Sequence, residues 1–413
     1  MEGAVSAGLE AAGHRTRLLK PRPATGIDLA TALKSNVVVA LGLRENRMVQ
    51  SIAPAVQPRR SFVPAGAVTG IGSLPFSSIP TALQTVANSS PQIPFWPQMP
   101  RRSNRESIIG QGLDSLSNLI ELRSEGYGYR VKAGKIDRVV EALHRGSGEL
   151  TTANAAGFSA FHQALCTGVF GSAIAAKGQI EGPITLSSYL FHEDRPFISD
   201  PALFSAVAFH ISQIICWQID RLKIAGLPVL LFVDEPALCL QASTGNAVSE
   251  EQRLTALAAT LEGARVRGAY AGLHCCAAGP LSRMCRAKPD ILSFDAHEGL
   301  ELFFSDAEAL AFALNGGIVA YGVIPTWQDL KSVNAPSIFT KWLTLAALAG
   351  DPQQFAQNAM VTATCGLGLL PQESVGESFA KAHSVGKLIH ALAGEPQSSR
   401  EIQAMVANEL TGS

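Results

Sequence analysis

From Val63 onward the chain alternates short apolar or small-residue runs with helix-forming stretches. The runs fall near 67–73, 93–98, 176–185, 228–234, 267–275, 290–295, 317–323 and 358–365. Between them, Ser249-Glu250-Glu251-Gln252 has the form of a capping box opening a helix toward Arg265, and Ser305-Asp306-Ala307-Glu308 opens another that stops at Asn315-Gly316-Gly317. Val229 to Val233 is continuously apolar, as expected of a strand covered on both faces. Strands that alternate with helices predict a parallel sheet, and eight such units predict an α/β fold of the (β/α)8 TIM-barrel type, with its site at the carboxyl ends of the strands. The interval from Pro97 to Lys177 exceeds what one crossover helix needs. It predicts an insertion after the second strand, lying over the barrel mouth as a lid or a subunit contact, with a helix over Lys135 to His144. Residues 1–62 lack a sustained period and are expected to form an N-terminal extension, leaving 63–413 as the barrel.

The predicted strand ends carry the chemistry. If strand geometry persists through Gly272-Leu273-His274-Cys275-Cys276, His274 and Cys276 face one side and Cys275 the other. An imidazole and a thiolate converging at a strand end are typical zinc ligands, and a zinc site needs three or four groups. Asp295 and Cys365 end two later runs and are the candidates to complete it. A lone buried histidine is more often a hydrogen-bonded core residue than a ligand; His297 and Glu298 are alternatives to Asp295. Asp234-Glu235-Pro236 places two carboxylates where an ammonium group would be held, although both could instead cap the following turn or pair with an arginine. Ile71, Gly72 and Ser73 offer backbone N–H groups and a hydroxyl to a carboxylate. Together these would recognise an amino acid. Lys177 to Pro183 is expected to shape the pocket wall.

Composition narrows the classes. The 413 residues are 47% hydrophobic with a net charge of -1, enough for a large core and without an electrostatic footprint for nucleic acid or an anionic membrane. No apolar run approaches the roughly 20 residues of a bilayer span, and the first 30 residues lack the apolar core of a signal peptide. A cytoplasmic protein is expected. Its seven cysteines are an odd number without a disulfide-like pattern, which in a reducing compartment favours metal or catalytic roles for a few and burial for the rest.

In order along the chain, Ile71-Gly72-Ser73, Lys177-Gly178 with Gly182-Pro183-Ile184-Thr185, Asp234-Glu235-Pro236-Ala237-Leu238, His274-x-Cys276 and Cys365-Gly366-Leu367 resemble the motifs of the cobalamin-independent methionine synthase family, in its carboxy-terminal catalytic barrel within the uroporphyrinogen decarboxylase-like superfamily. The resemblance covers most of residues 65–370. It implies a zinc ion held by His274, Cys276, Asp295 and Cys365, with Ile71, Gly72, Ser73, Asp234 and Glu235 around the amino acid part of homocysteine and Asp234 in the catalytic machinery. It implies a methyltransferase resembling 5-methyltetrahydropteroyltriglutamate–homocysteine S-methyltransferase, acting on homocysteine or a similar small thiol. The chain departs from the family in places. Asp295 stands where Glu is usual, Met99-Pro100 where a Glu-Pro contact is expected, and Gly322 to Thr326 where a histidine follows the seventh strand. The complete synthase also has a second, amino-terminal barrel that helps bind methyltetrahydrofolate, so the donor stays open between folate and a methyl-corrinoid protein. A corrinoid-linked thiol methyltransferase of the same superfamily, and a zinc-binding barrel without turnover serving as sensor or assembly partner, are the other readings.

Overall fold

The computed structural model describes residues 61–124, 126–240, 247–327 and 330–394. Nearly all of the expected extension therefore lies outside the described residues, although Phe62 is buried edge-on against Tyr270.

Among the described residues, eleven strands form two sheets: β1 (Ala67–Val68), β2 (Ile120–Leu122), β3 (Tyr129–Val131), β4 (Ala176–Glu181), β5 (Leu190–His192), β6 (Arg195–Pro196), β7 (Val229–Asp234), β8 (Tyr270–Cys275), β9 (Ile291–Asp295), β10 (Ile318–Ile324) and β11 (Ala359–Ala363). The larger sheet is parallel throughout, in the order β1-β11-β10-β9-β8-β7-β4. It is a curled, seven-stranded half-barrel among many helices, an α/β arrangement consistent with a TIM-like barrel. The run at 93–98, expected as the second strand, forms isolated bridges instead. Phe95 pairs with Lys177 on one edge of the sheet, and Gln98 pairs with Ser73 beyond the other. Hydrogen bonds from Trp96 N to Lys177 O and from Gln98 N to Gly72 O, each 3.0 Å, span the gap. Prolines at 94 and 97 remove two ladder donors there, which limits the run to single bridges.

Strand alternation sorts the core into two parts. Inward-facing Leu230, Phe232, Tyr270, Ile291, Ile318 and Met360 belong to one apolar cluster enclosed by the sheet, whereas Leu231, Val233, Ala271, Leu273 and Cys275 pack outward against the helices. Gly272 is required inside, because a Cβ there would run into the Phe232 ring. The helix Glu250–Val266 has the expected capping box, with both reciprocal bonds formed by Ser249 and Gln252. The helix Ala307–Leu314 is capped by Asp306, whose carboxylate accepts from the Glu308 and Ala309 N–H groups. The expected helix over Lys135 to His144 spans Ile136–Arg145.

The interval after the 93–98 run holds β2 and β3, and these pair with β5 and β6 from beyond β4 in a four-stranded sheet, β2-β3-β5-β6. The insertion thus shares its sheet with the chain that follows β4. One segment departs from the expectation about bilayer length: among the described residues, Pro201–Ala225 is long and apolar enough to cross a membrane, and more than half of its most apolar window is buried within the protein.

Candidate active site

Above the apolar plug the inward face turns polar, and the register shows how. Glu181, Asp234, His274 and Ser293 are paired in sequence across β4, β7, β8 and β9, so they stand side by side in one row. Lys177 and Gln179 lie on the same face of β4, nearer its start. Lys177 Nζ donates to Ile71 O at 2.6 Å and to Gln179 Oε1 at 2.9 Å, and it sits 4.7 Å from the Phe232 ring centroid. Burial pulls its ammonium down to about 8, an effect that Asp234 opposes.

His274 is 3% exposed. Its Nδ1 lies 2.9 Å from Ser293 Oγ, while Nε2 is buried and has no hydrogen-bond partner. Cys276, one residue beyond β8, is half-buried and in side-chain contact with both His274 and Cys365. The Cys365 contact is the main cause that pushes the Cys276 thiol up; the same contact draws Cys365 below its ordinary value. Cys276 therefore links the His274 imidazole and the Cys365 thiol where β8 and β11 end. No group of three or more His, Cys, Asp and Glu side chains in position to hold a metal ion occurs among the described residues. The donor chemistry nevertheless suits one: His274 Nε2 is an orphaned buried atom whose ring is steadied through Nδ1, and Cys276 and Cys365 are free thiols in contact, which a metal would deprotonate.

Asp295 lies close enough to Cys365 to influence its charge. One of its oxygens accepts from Glu298 N at 3.2 Å and caps the helix Ala296–Ser305, and burial raises its carboxyl. His297 is stacked edge-on with Trp327, 6.1 Å between centroids, with Nε2 3.8 Å from Glu298 Oε1.

The two carboxylates at the end of β7 part company. Asp234 is 3% exposed with Oδ1 unpartnered, and burial pushes it up to about 6 against the pull of His274 and Lys177. Glu235 accepts from Ile184 N and Thr185 N at 2.8 Å and from Thr185 Oγ1 at 2.6 Å. Its carboxylate is thus taken up by the start of the helix Pro183–Tyr189, at a turn where Gly182 leaves room for it. Burial still pushes it up to about 7.

Around Ile71, Gly72 and Ser73 the backbone is tied to its neighbours. Gly72 has φ +155°, and a Cβ there would meet Gln98 and Gln179. Ser73 O accepts from Leu367 N at 2.9 Å and its Oγ from Gly368 N at 3.3 Å, joining this turn to the Cys365 loop.

Ser293 is a site residue that sequence reasoning misses, and Lys177 and Glu181, expected only as part of the pocket wall, stand in or beside the polar row. The Lys177-Gly178-Gln179-Ile180-Glu181 alternation was the available signal, since polar residues two apart in a strand buried on both faces share the barrel interior. Two tyrosines flank the small sheet, Tyr127 between β2 and β3 and Tyr189 at the end of the helix Pro183–Tyr189. Tyr127 and Tyr189 contact edge-on at 5.2 Å, Tyr189 is near Cys276 and Cys239, and Tyr127 is near Glu181.

No family model and no curated protein matches the chain. Among solved structures it is similar to a B12-independent methionine synthase from Shewanella sp. W3-18-1, with 15% identity over 56% of this chain and 67% of that one and a TM-score of 0.41. It is similar to a methyltransferase from Methanosarcina mazei, with 14% identity over 77% and 93% of the two chains and a TM-score of 0.40. A Xaa-Pro dipeptidase with bound methionine in its active site follows at 11% identity and a TM-score of 0.27, over 63% and 70%.

Proposed function

We propose that the chain is a zinc-dependent methyltransferase acting on homocysteine or a similar small thiol, on a (β/α)8 barrel in which the 93–98 run takes the second strand's place. The observation that carries this reading is the side-chain contact of Cys276 with both His274 and Cys365 at the carboxyl ends of β8 and β11, beside a His274 Nε2 that is buried and unpartnered. These three would hold the metal, with Asp295 as the fourth ligand. When bound, zinc supplies a Lewis acid that lowers the pKa of a coordinated thiol and leaves it nucleophilic at neutral pH.

The protein's own groups do the rest. A metal on Nε2 requires the tautomer with hydrogen on Nδ1, and Ser293 Oγ at 2.9 Å is the acceptor that holds it. Asp234, next to His274 in the row, is the group that binds the amino end of the substrate. Ser73 and the Ile71–Gly72 backbone would face its carboxylate. Glu235 positions the turn after β7 through the helix it caps.

The test is zinc stoichiometry on the purified, reconstituted chain, with X-ray absorption at the zinc edge before and after homocysteine. One zinc per chain that gains a sulfur neighbour is expected, followed by methyl transfer from either methyltetrahydrofolate or a methylated corrinoid protein. No bound zinc after reconstitution overturns the reading.

A further inference from the structure

We propose that Cys239 and Cys275 form a redox-active dithiol on the outer face of β8, a modification site that a hydroperoxide closes to a disulfide and a small dithiol reopens. The proposal goes beyond the proposed function and does not rest on a bound metal.

Of the seven cysteines, Cys276 and Cys365 belong to the proposed zinc site, and Cys239 and Cys275 make a second thiol pair behind it. Cys275 ends β8 and is 1% exposed. Its side chain leaves the strand on the face opposite His274, toward the helices, so the pair lies outside the barrel interior. Cys239 ends the short 3-10 turn Pro236–Cys239 and is exposed. Two hydrogen bonds hold this turn beside the end of β8: Glu235 N donates to His274 O at 2.7 Å, and Arg283 Nη1, from the helix Leu281–Arg286, donates to Leu238 O at 3.1 Å. Cys239 Sγ lies 2.9 Å from Pro236 O, folded back over its own turn, and is in side-chain contact with Cys275. Cys166, also exposed, has His162 at 3.7 Å in place of a second thiol.

A cysteine that senses oxidants is accessible, has thiolate character and stands next to a resolving cysteine. The pair divides these parts. Contact with Cys275 is the main cause that draws the Cys239 thiol below its ordinary value, and the charge of Arg283 adds to it; the same contact, with burial, raises Cys275. Cys239 is therefore the attacking sulfur and Cys275 the resolving one. In the first step the Cys239 thiolate takes the distal oxygen of the hydroperoxide, the O–O bond breaks, and the departing alkoxide or hydroxide picks up a proton as alcohol or water. Cys239 is then a sulfenic acid. In the second step the Cys275 sulfur attacks the Cys239 sulfur, the S–O bond breaks, and the thiol proton leaves with the hydroxide as water. Two thiols have lost two electrons and the peroxide has gained them. The bond closes between side chains already in contact, so β8 keeps its place. Reopening transfers the two electrons back from a small dithiol, which leaves as its own disulfide.

For the test, the full chain is purified reduced, reconstituted with zinc, treated with an equivalent of hydrogen peroxide, alkylated, digested without reductant and mapped by mass spectrometry. A Cys239–Cys275 cross-link is expected as the dominant oxidised product, reversed by dithiothreitol. Cys239→Ser should remove it and leave Cys275 alkylated, whereas Cys166→Ser should leave it unchanged. Cys275→Ala covers the case of a Cys239 variant that folds poorly: without its resolving partner, Cys239 should be trapped by dimedone as the sulfenic acid or pass on to the sulfinic acid. Wild-type Cys239 recovered fully alkylated, joined to any cysteine other than Cys275, or carried to sulfinic acid with Cys275 still free overturns the proposal.

Discussion

Replacing Ser293 with alanine isolates the contact that prepares His274 for a metal. The variant removes the Oγ atom 2.9 Å from His274 Nδ1 and leaves Nδ1 facing an apolar methyl inside the sheet. An unmade buried hydrogen bond costs about 1–3 kcal/mol. In a domain of this size that lowers the melting temperature by only about 2–6 °C, so the metal-free variant should still fold. The imidazole, however, loses the acceptor that holds hydrogen on Nδ1 and the lone pair on Nε2. Groups that orient a ligating histidine in this way typically contribute 10–100-fold in metal affinity, equivalent to about 1.4–2.7 kcal/mol. Competition against a chromophoric chelator measures the zinc dissociation constant, and thermal unfolding of the metal-free chain measures the fold. A tenfold or greater rise in the dissociation constant with a small melting shift is expected. Wild-type zinc affinity in a folded Ser293→Ala protein would refute the assignment of Nε2 as a ligand.

Cys276→Ser and Cys365→Ser should each lose most bound zinc, read by atomic absorption after dialysis; full retention by both would remove the site. Phe232→Ala should destabilise the chain by about 3–5 kcal/mol in urea titration, because it empties the centre of the enclosed cluster beneath Lys177; a loss below about 1 kcal/mol would show that the interior collapses around it. Lys177 gives a pH signature. Its folded value, about 8, lies below the unfolded 10.5, so between these pH values the unfolded chain binds more protons and stability rises with pH, by up to about 3 kcal/mol from this group. Lys177→Met should flatten that rise in denaturant midpoints measured from pH 8 to 10, and an unchanged slope would assign it elsewhere.

Much of the candidate site was legible along the chain because strand periodicity is a local property. The alternation that put His274 on one face and Cys275 on the other needs only the pleat, and Cys275 does pack outward with Leu273 while His274 faces the interior row. The Ser249–Gln252 capping box was equally local, four residues satisfying one another. What lies beside each of these residues was not local. Ser293 reaches His274 only because β8 and β9 pair in one register, after a helix and two turns have brought them together. Glu235 looked equivalent to its neighbour Asp234, yet consecutive residues at a strand end leave in different directions, and only the fold brought the helix Pro183–Tyr189 to accept one of them. The 93–98 run had the composition of a strand, but pairing depends on two edges arriving at the right spacing with N–H groups to spare, and Pro94 and Pro97 leave it single bridges. Sequence thus determined which faces the side chains take, and tertiary structure decided which of them meet, because register across intervening helices is set by packing rather than by the strands themselves.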